Sequence, residues 1–185
     1  IGVVEVAPSD PDIVYVGTGE NNAQRSVAYG DGVYRSDDGG ATWSNIGLRD
    51  SGHIGQIWVH PDDPDTVLVA AQGPLWSPGG DRGLYKTTDG GGHWEKILHI
   101  DENTGVNEFV VHPDDPDRIV ASTYQRRRHV WTLINGGPGS GIHVTDDGGE
   151  TWQEVRRGLP KAEMGRIGLA MAPSRPDTVY AIIET

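Results

Sequence analysis

The sequence predicts an all-β chain, a partial β-propeller of four-stranded antiparallel blades. Two interleaved motifs return in one phase, short β-branched runs lie between Gly- and Pro-rich turns, and no window holds a 3.6-residue apolar period of helix length. The first motif reads Ser36-Asp37-Asp38-Gly39-Gly40-Ala41-Thr42-Trp43. It returns as Thr87-Thr88-Asp89-Gly90-Gly91-Gly92-His93-Trp94 and as Thr145-Asp146-Asp147-Gly148-Gly149-Glu150-Thr151-Trp152, with the tryptophans 51 and 58 residues apart. The second motif is Ala7-Pro8-Ser9-Asp10-Pro11-Asp12, then His60-Pro61-Asp62-Asp63-Pro64-Asp65, His112-Pro113-Asp114-Asp115-Pro116-Asp117 and Ala172-Pro173-Ser174-Arg175-Pro176-Asp177. Its first prolines stand 53, 52 and 60 residues apart. A four-stranded unit recurring every ~40–50 residues is the signature of a propeller blade.

Four strands follow in each unit. Strand A is largely apolar: Val3–Val6, Ile54–Val59, Val106–Val111 and Ile167–Met171. The Pro-Asp turn comes next, where proline presets φ and aspartate bonds its own turn. Strand B is β-branched: Ile13–Val16, Val67–Ala70, Ile119–Ser122 and Val179–Ile183. Strand C is Gly32–Ser36, Gly83–Thr87 and Gly141–Thr145. The Asp-Gly-Gly segment reverses the chain, and strand D starts at each tryptophan: Trp43–Ile46, Trp94–Leu98 and Trp152–Val155. Blades are expected over about 1–50, 51–103 and 104–160, with a half blade over 164–185. Propellers close with 4–8 blades. About three and a half leave open faces, which predicts a segment of a longer polypeptide or pairing between copies.

Composition narrows the function. Fifteen Lys+Arg against 27 Asp+Glu give a net charge of −12, and such a surface repels a phosphate backbone, so no nucleic-acid partner is expected. No apolar run reaches the ~20 residues of a spanning helix. Absent cysteine excludes disulfides and thiolate metal sites. Glycine and proline, 27 and 12 residues, fit short strands joined by turns. The chain does not start with methionine, and Ile1 already lies in a strand pattern, which predicts a processed or excised chain.

The first motif resembles the Asp-box, or BNR repeat. The match holds at Ser36, Asp38, Gly40, Thr42 and Trp43, and again at Thr145, Asp147, Gly149, Thr151 and Trp152. The middle copy keeps Thr87, Asp89, Gly91 and Trp94 but has His93 at the threonine position. The intervening segments, among them YVGTGENN, HIGQIWVHPDDPD and YQRRR, are similar to large bacterial secreted proteins with BNR repeats or a sortilin N-terminal domain, some of them labelled glycosyl hydrolases. The resemblance spans the chain and implies the fold and an extracellular, periplasmic or cell-surface location. A residue present once per blade is placed by the repeat, so the box is read as structural. Its Asp accepts N–H bonds in its own turn, its glycines allow positive φ, and its Trp packs between neighbouring sheets. His60 and His112 hold one repeat position on separate blades and diverge, so no metal site is expected there, and no cofactor.

Blade topology places the A–B turns and Asp-boxes at one end. The B–C loops (about 17–31, 71–82 and 123–140) and D–A connections share the other. Irregular loops on a rigid scaffold concentrate binding residues. The ligand-binding candidates there are Glu20, Arg25, Trp76, Tyr124, Arg126, Arg127, Arg128 and Trp131. The off-repeat indoles suit stacking on sugar rings or anchoring a protein, and the arginine run suits a carboxylate or sulfate. Glu20, Asp81, Asp101, Glu102 and Glu163 could serve a glycosidase, but nothing in the sequence selects a pair. The Arg-Ile-Pro motif of Asp-box sialidases is absent, as are a Gly-x-Ser-x-Gly elbow, a phosphate loop and HExxH. The expected role is a module binding protein, peptide or glycan. The alternatives are part of a propeller-type glycoside hydrolase and a self-assembly module.

Overall fold

The computed structural model describes residues 1–22 and 26–185. Fifteen strands and no helix occur among the described residues, so no helix is long and apolar enough to cross a membrane. Blade 1 is β1 (Val3–Val6), β2 (Val14–Gly17), β3 (Val33–Ser36) and β4 (Ser44–Gly47), paired in chain order. Blade 2 repeats this order with β5 (Ile54–Val59), β6 (Val67–Ala71), β7 (Gly83–Thr87) and β8 (Glu95–Leu98). Blade 3 contains β9 (Thr104–His112), β10 (Asp115–Arg128), β12 (Gly141–Thr145) and β13 (Gln153–Val155). Its extra strand β11 (Leu133–Asn135) pairs with Arg126–Arg128 at the end of β10. The half blade is β14 (Ile167–Ala172) paired with β15 (Arg175–Ile183). All pairings are antiparallel.

The core lies between blades. All five residues of β6 are buried, and their alternation explains how. Val67, Val69 and Ala71 join Tyr15, Val33, Ile54 and Ile57 in a layer shared with blade 1. Leu68 and Ala70 join Leu84, Val106, Phe109 and Ile119 in a layer shared with blade 3. A strand with apolar residues on both faces therefore reads as a continuous β-branched run. Removing such a side chain from water stabilises by roughly 1.5–3 kcal/mol.

The innermost strands are sheet edges with open N–H groups. Neighbouring blades satisfy some of them. The Gln56 side-chain carbonyl accepts from Phe109 N–H at 2.9 Å, and Glu108 accepts from Leu169 N–H at 2.6 Å.

Each Asp-box is a closed hydrogen-bonded turn. The Ser36, Thr87 and Thr145 hydroxyls donate to Asp38, Asp89 and Asp147 at 2.6–2.7 Å. The same hydroxyls accept from the N–H of Gly40, Gly91 and Gly149. Each aspartate also accepts from the backbone N–H four residues on, of Thr42, His93 or Thr151. The Thr42 and Thr151 hydroxyls add a second bond to the carboxylate. His93 lacks that hydroxyl, and its box still closes. These donors hold Asp38 down to about 2, chiefly through the Thr42 hydroxyl, and hold Asp89 and Asp147 below the usual carboxylate range. The paired glycines sit at φ near 67–70° and 91–99°, which only glycine adopts freely. The first of each pair donates its N–H to the A–B turn at Asp12, Asp65 or Asp117, tying the two turns together.

One expectation at this end fails. Trp94 and Trp152 are half-buried and pack against the inter-blade layers, but Trp43 is 42% exposed and donates its N–H to Gly40 in its own box. Among the described residues, no second sheet lies against this ring. The histidines of the second motif serve their own turns: Nδ1 of His60 and of His112 accepts from the backbone N–H of Asp62 and Asp114, both at 3.2 Å.

Candidate functional site

The end opposite the Asp-boxes is built from loops that lean on the next blade. Gly30 N–H donates to Gly52, Ile54 N–H to Thr18, Gln72 N–H to His53 and Gly79 N–H to Glu102. The third loop departs from the sequence expectation. The segment 123–140 is a β-hairpin for much of its length rather than an irregular loop. β10 continues to Arg128, and His129 and Thr132 bond each other across a two-residue tip. Tip residues Val130 and Trp131 are 75% and 84% exposed, and the His129 ring stacks on Trp131 at 5.8 Å. Close to its tip the hairpin is fastened to the second loop by Arg128 N–H donating to the Leu75 carbonyl at 2.9 Å. Trp76, next in chain after Leu75, is 47% exposed.

The arginines divide. Arg126 is 4% exposed and donates to the Asn22 carbonyl at 2.5 Å, tying blade 3 to blade 1. Tyr124 is also buried, its hydroxyl donating to Asn135. Both were expected on an open face, and both are interior because β10 continues where a loop was read. Burial lowers the Arg126 pKa and raises that of Tyr124. Arg127 is half-buried and donates to the Asn103 side chain at 3.4 Å. Arg128 is half-buried. Arg25 lies outside the described residues.

Arg82, the residue that organises the second loop, was not a sequence candidate. It is 2% exposed and donates to the carbonyls of Gln72, Pro74, Ser77 and Gly79. Burial pulls its pKa down to about 10. A β-carbon on Gly73, at φ 78°, would lie 2.2 Å from this side chain, so glycine is required. The only local hint is its place after two turn glycines, Gly79 and Gly80. Gln72 bonds Asn107 side chain to side chain, and Asn107 donates onward to the Ile167 carbonyl, linking three units. His53 is 1% exposed, and its ring lies 4.8 Å from Tyr29. Burial, and next the Arg126 guanidinium, push its pKa down to about 4.

Three carboxylates of this end accept backbone N–H groups of its loops. Glu20 is half-buried and accepts from Ala28 N–H at 3.1 Å, Asp81 from Asp50 N–H at 2.9 Å and Asp101 from Asn103 N–H at 2.7 Å. Glu102 and Glu163 are exposed. Among the described residues, no three His, Asp or Glu side chains gather as a metal site. A groove of about 450 Å³ lies at the other end, between the boxes of blades 2 and 3, lined by Asp89, Asp117 and Asp147 among others. Asp89 and Asp147 are bonded inside their own boxes, so the groove is a seam of the repeat. Chemically, the loop end offers two exposed indoles from adjacent blades beside partly covered arginines.

Comparison with known proteins places this geometry. The family model Sortilin-Vps10 (sortilin, neurotensin receptor 3) matches residues 31–168. A vacuolar protein sorting/targeting protein 10 of Sordaria macrospora is 32% identical over 90 residues, 48% of this chain and 5% of that protein. A probable oligoxyloglucan-reducing end-specific xyloglucanase of Neosartorya fischeri is 27% identical over 148 residues, 76% of this chain and 16% of that protein. Among solved structures, an ancestral GH74 enzyme superposes with a TM-score of 0.68 at 19% identity, covering 97% of this chain and 21% of that one. The GH74 xyloglucanase of Xanthomonas campestris gives 0.67 at 16% identity, covering 96% and 26%. These superpositions show the shared propeller fold, and the chain spans only a small part of each of these proteins. With the family model covering most of its length, the chain belongs to the Sortilin-Vps10 family of Asp-box propellers.

Proposed function

We propose that the loop end is a carbohydrate-binding face of an extracellular Asp-box propeller. One observation carries this reading: a hairpin tip holds Trp131 almost fully in water, and the second loop, bonded to that hairpin through Leu75, exposes another indole at Trp76. The Asp-box indoles are used within the repeat, whereas Trp131 is 84% exposed and stacks on His129. Exposed aromatic rings on a rigid edge stack on the apolar faces of sugars, and the neighbouring arginines and amides supply hydrogen bonds to hydroxyls. The likeness to a xyloglucanase supports a β-glucan class of ligand. Binding is favoured over hydrolysis because Glu20, Asp81 and Asp101 are each engaged by a backbone N–H of their own end.

Titration of the chain with xyloglucan oligosaccharides by isothermal calorimetry tests this. Binding is expected, and Trp131→Ala should weaken it at least tenfold, about 1.4 kcal/mol, with the melting temperature unchanged. Absence of binding to xyloglucan and to a panel of other β-glucans would overturn the reading, as would full affinity in the Trp131→Ala variant.

A further inference from the structure

The arginines of this chain are not neutralised evenly. At the turn end, Arg35 pairs with Asp37 at 2.7 Å and Asp65 at 2.5 Å, and Arg118 with Asp146 at 3.3 Å and Asp177 at 3.0 Å. At the loop end, Arg82, Arg126 and Arg127 take part in no ion pair among the described residues. Arg82 and Arg126 donate to neutral carbonyls. Burial lowers the Arg82 pKa and the Arg127 charge adds to the effect, while Asp101 and Asp50 oppose it. Guanidinium groups drawn out of water without a counter-charge favour an incoming anion.

Arg127 is the member of this group that a ligand can reach. Arg82 and Arg126 are buried, whereas Arg127 is half-buried. Its hydrogen bond to the Asn103 side chain is long, at 3.4 Å, and its Nε finds no partner among the described residues. The hairpin register sets what stands beside it. Arg127 lies opposite Ile134, and His129 lies opposite Thr132, the two bonding each other through their backbones. Residues two apart on a strand share a face, as do residues directly opposite. Arg127 and His129 therefore project from one face of the hairpin. Ile134 on that face is 39% exposed, so solvent reaches it. The Trp131 ring stacks on His129 with 14° between the planes. A guanidinium, an imidazole and an exposed indole thus stand within a few residues of each other on one rigid element.

We propose that this hairpin face seats an acidic sugar, whose ring stacks on Trp131 while its carboxylate is taken by Arg127. The inference rests on the carbohydrate-binding reading of the loop end and narrows it to a β-glucan bearing uronate. A planar carboxylate matches the fork of a guanidinium. It would replace the long bond to Asn103 and bring a counter-charge to Arg127 and to Arg82 beside it. The net charge of −12 does not bar an anion here. The carboxylates of both repeated motifs lie at the turn end, a strand length of about 17 Å away, beyond the Debye length of about 8 Å at physiological ionic strength.

Calorimetric titration with two matched ligands tests the assignment. Cello-oligosaccharides are compared with oligosaccharides of the same linkage and length built from glucuronate, which carry a carboxylate in place of each hydroxymethyl group. The glucuronate ligand is expected to bind tighter by about tenfold or more, the scale of a hydrogen bond to a charged group. Added sodium chloride should erode that advantage. Arg127→Ala and Arg127→Gln should each bring the preference close to unity with the melting temperature unchanged, and Trp131→Ala should weaken both ligands. Equal affinity for the two ligands in the unsubstituted chain would sink the acidic sugar and leave the carbohydrate reading standing, whereas binding of neither removes both. A preference that survives in Arg127→Gln would put the anion elsewhere. Cello-oligosaccharides sulfated on their primary hydroxyls are expected to bind more weakly than the glucuronate ligand; equal or tighter binding would overturn the choice of a carboxylate.

Discussion

The two ends of the blades are held together on opposite plans. At the turn end, three Asp-boxes repeat the same hydroxyl–carboxylate–amide bonds, with the Ser or Thr to Asp distance varying by only 0.1 Å. At the loop end the bonds differ from blade to blade among the described residues, apart from the equivalent Thr18 and Thr123 hydroxyls, which donate to the Gly32 and Gly141 carbonyls. Arg82 gathers four carbonyls of its own loop, Arg126 crosses to Asn22, and the β10–β11 hairpin rests on Leu75. Periodic bonds fix the scaffold at one end, and the other end is thereby free to differ from blade to blade.

The largest expected effect separates the boxes from one another. Trp94→Ala should destabilise by about 3 kcal/mol in urea unfolding, as truncation of a packed indole does, and Trp43→Ala by less than about 1 kcal/mol. Equal losses would mean that the indole acts within its own turn and not through the neighbouring blade. The loop end has its own anchor. Arg82→Met should cost about 3 kcal/mol, because four inward carbonyls lose their donor; a loss confined to a few tenths would show that water replaces the guanidinium.

Acid separates the ends by pH window. The folded-state pKa of His53 lies below its ordinary 6.5, at about 4. Between those values the unfolded chain takes up a proton that the folded chain refuses. Stability therefore falls as pH drops from 6.5 to 4, by about 2 kcal/mol once partial solvent screening is allowed for, and this contribution levels off below 4. Asp38 is held down to about 2 from 3.8, so its contribution, present above 3.8, is lost below that value. Calorimetric unfolding across pH should thus weaken the loop end first and the turn end second. A His53 imidazole titrating near 6.5 by NMR would remove the first window. The smallest effect is Arg127→Ala, expected to change stability by less than about 0.5 kcal/mol because its side-chain bond to Asn103 is long, at 3.4 Å, and half-exposed.

Much of the scaffold was legible because its residues act locally. The Asp-boxes declare themselves through bonds spanning four residues, and β5, β7 and β12 lie where their apolar runs begin and end. The extension of β10 was not legible. Gln125-Arg126-Arg127-Arg128 has no β-branched residue, and the hairpin tip Val130-Trp131 lacks the Asn-Gly signal of a tight turn. Its strand character comes from pairing with Leu133–Asn135. The burial of Arg126 was hidden for a related reason, since its acceptor lies 104 residues away. Trp43 was misjudged because three identical motifs suggest three identical environments, while an indole's surroundings depend on the blade before it.

The order of synthesis has a bearing on how such a chain acquires its structure. Every Asp-box closes over eight consecutive residues, so a turn can form as soon as that stretch leaves the ribosome. The apolar layer beside it belongs half to the blade made next, and must wait for translation to deliver it. Nucleation is therefore local and early, and consolidation follows one blade behind, with little loop-closure entropy to overcome at any step.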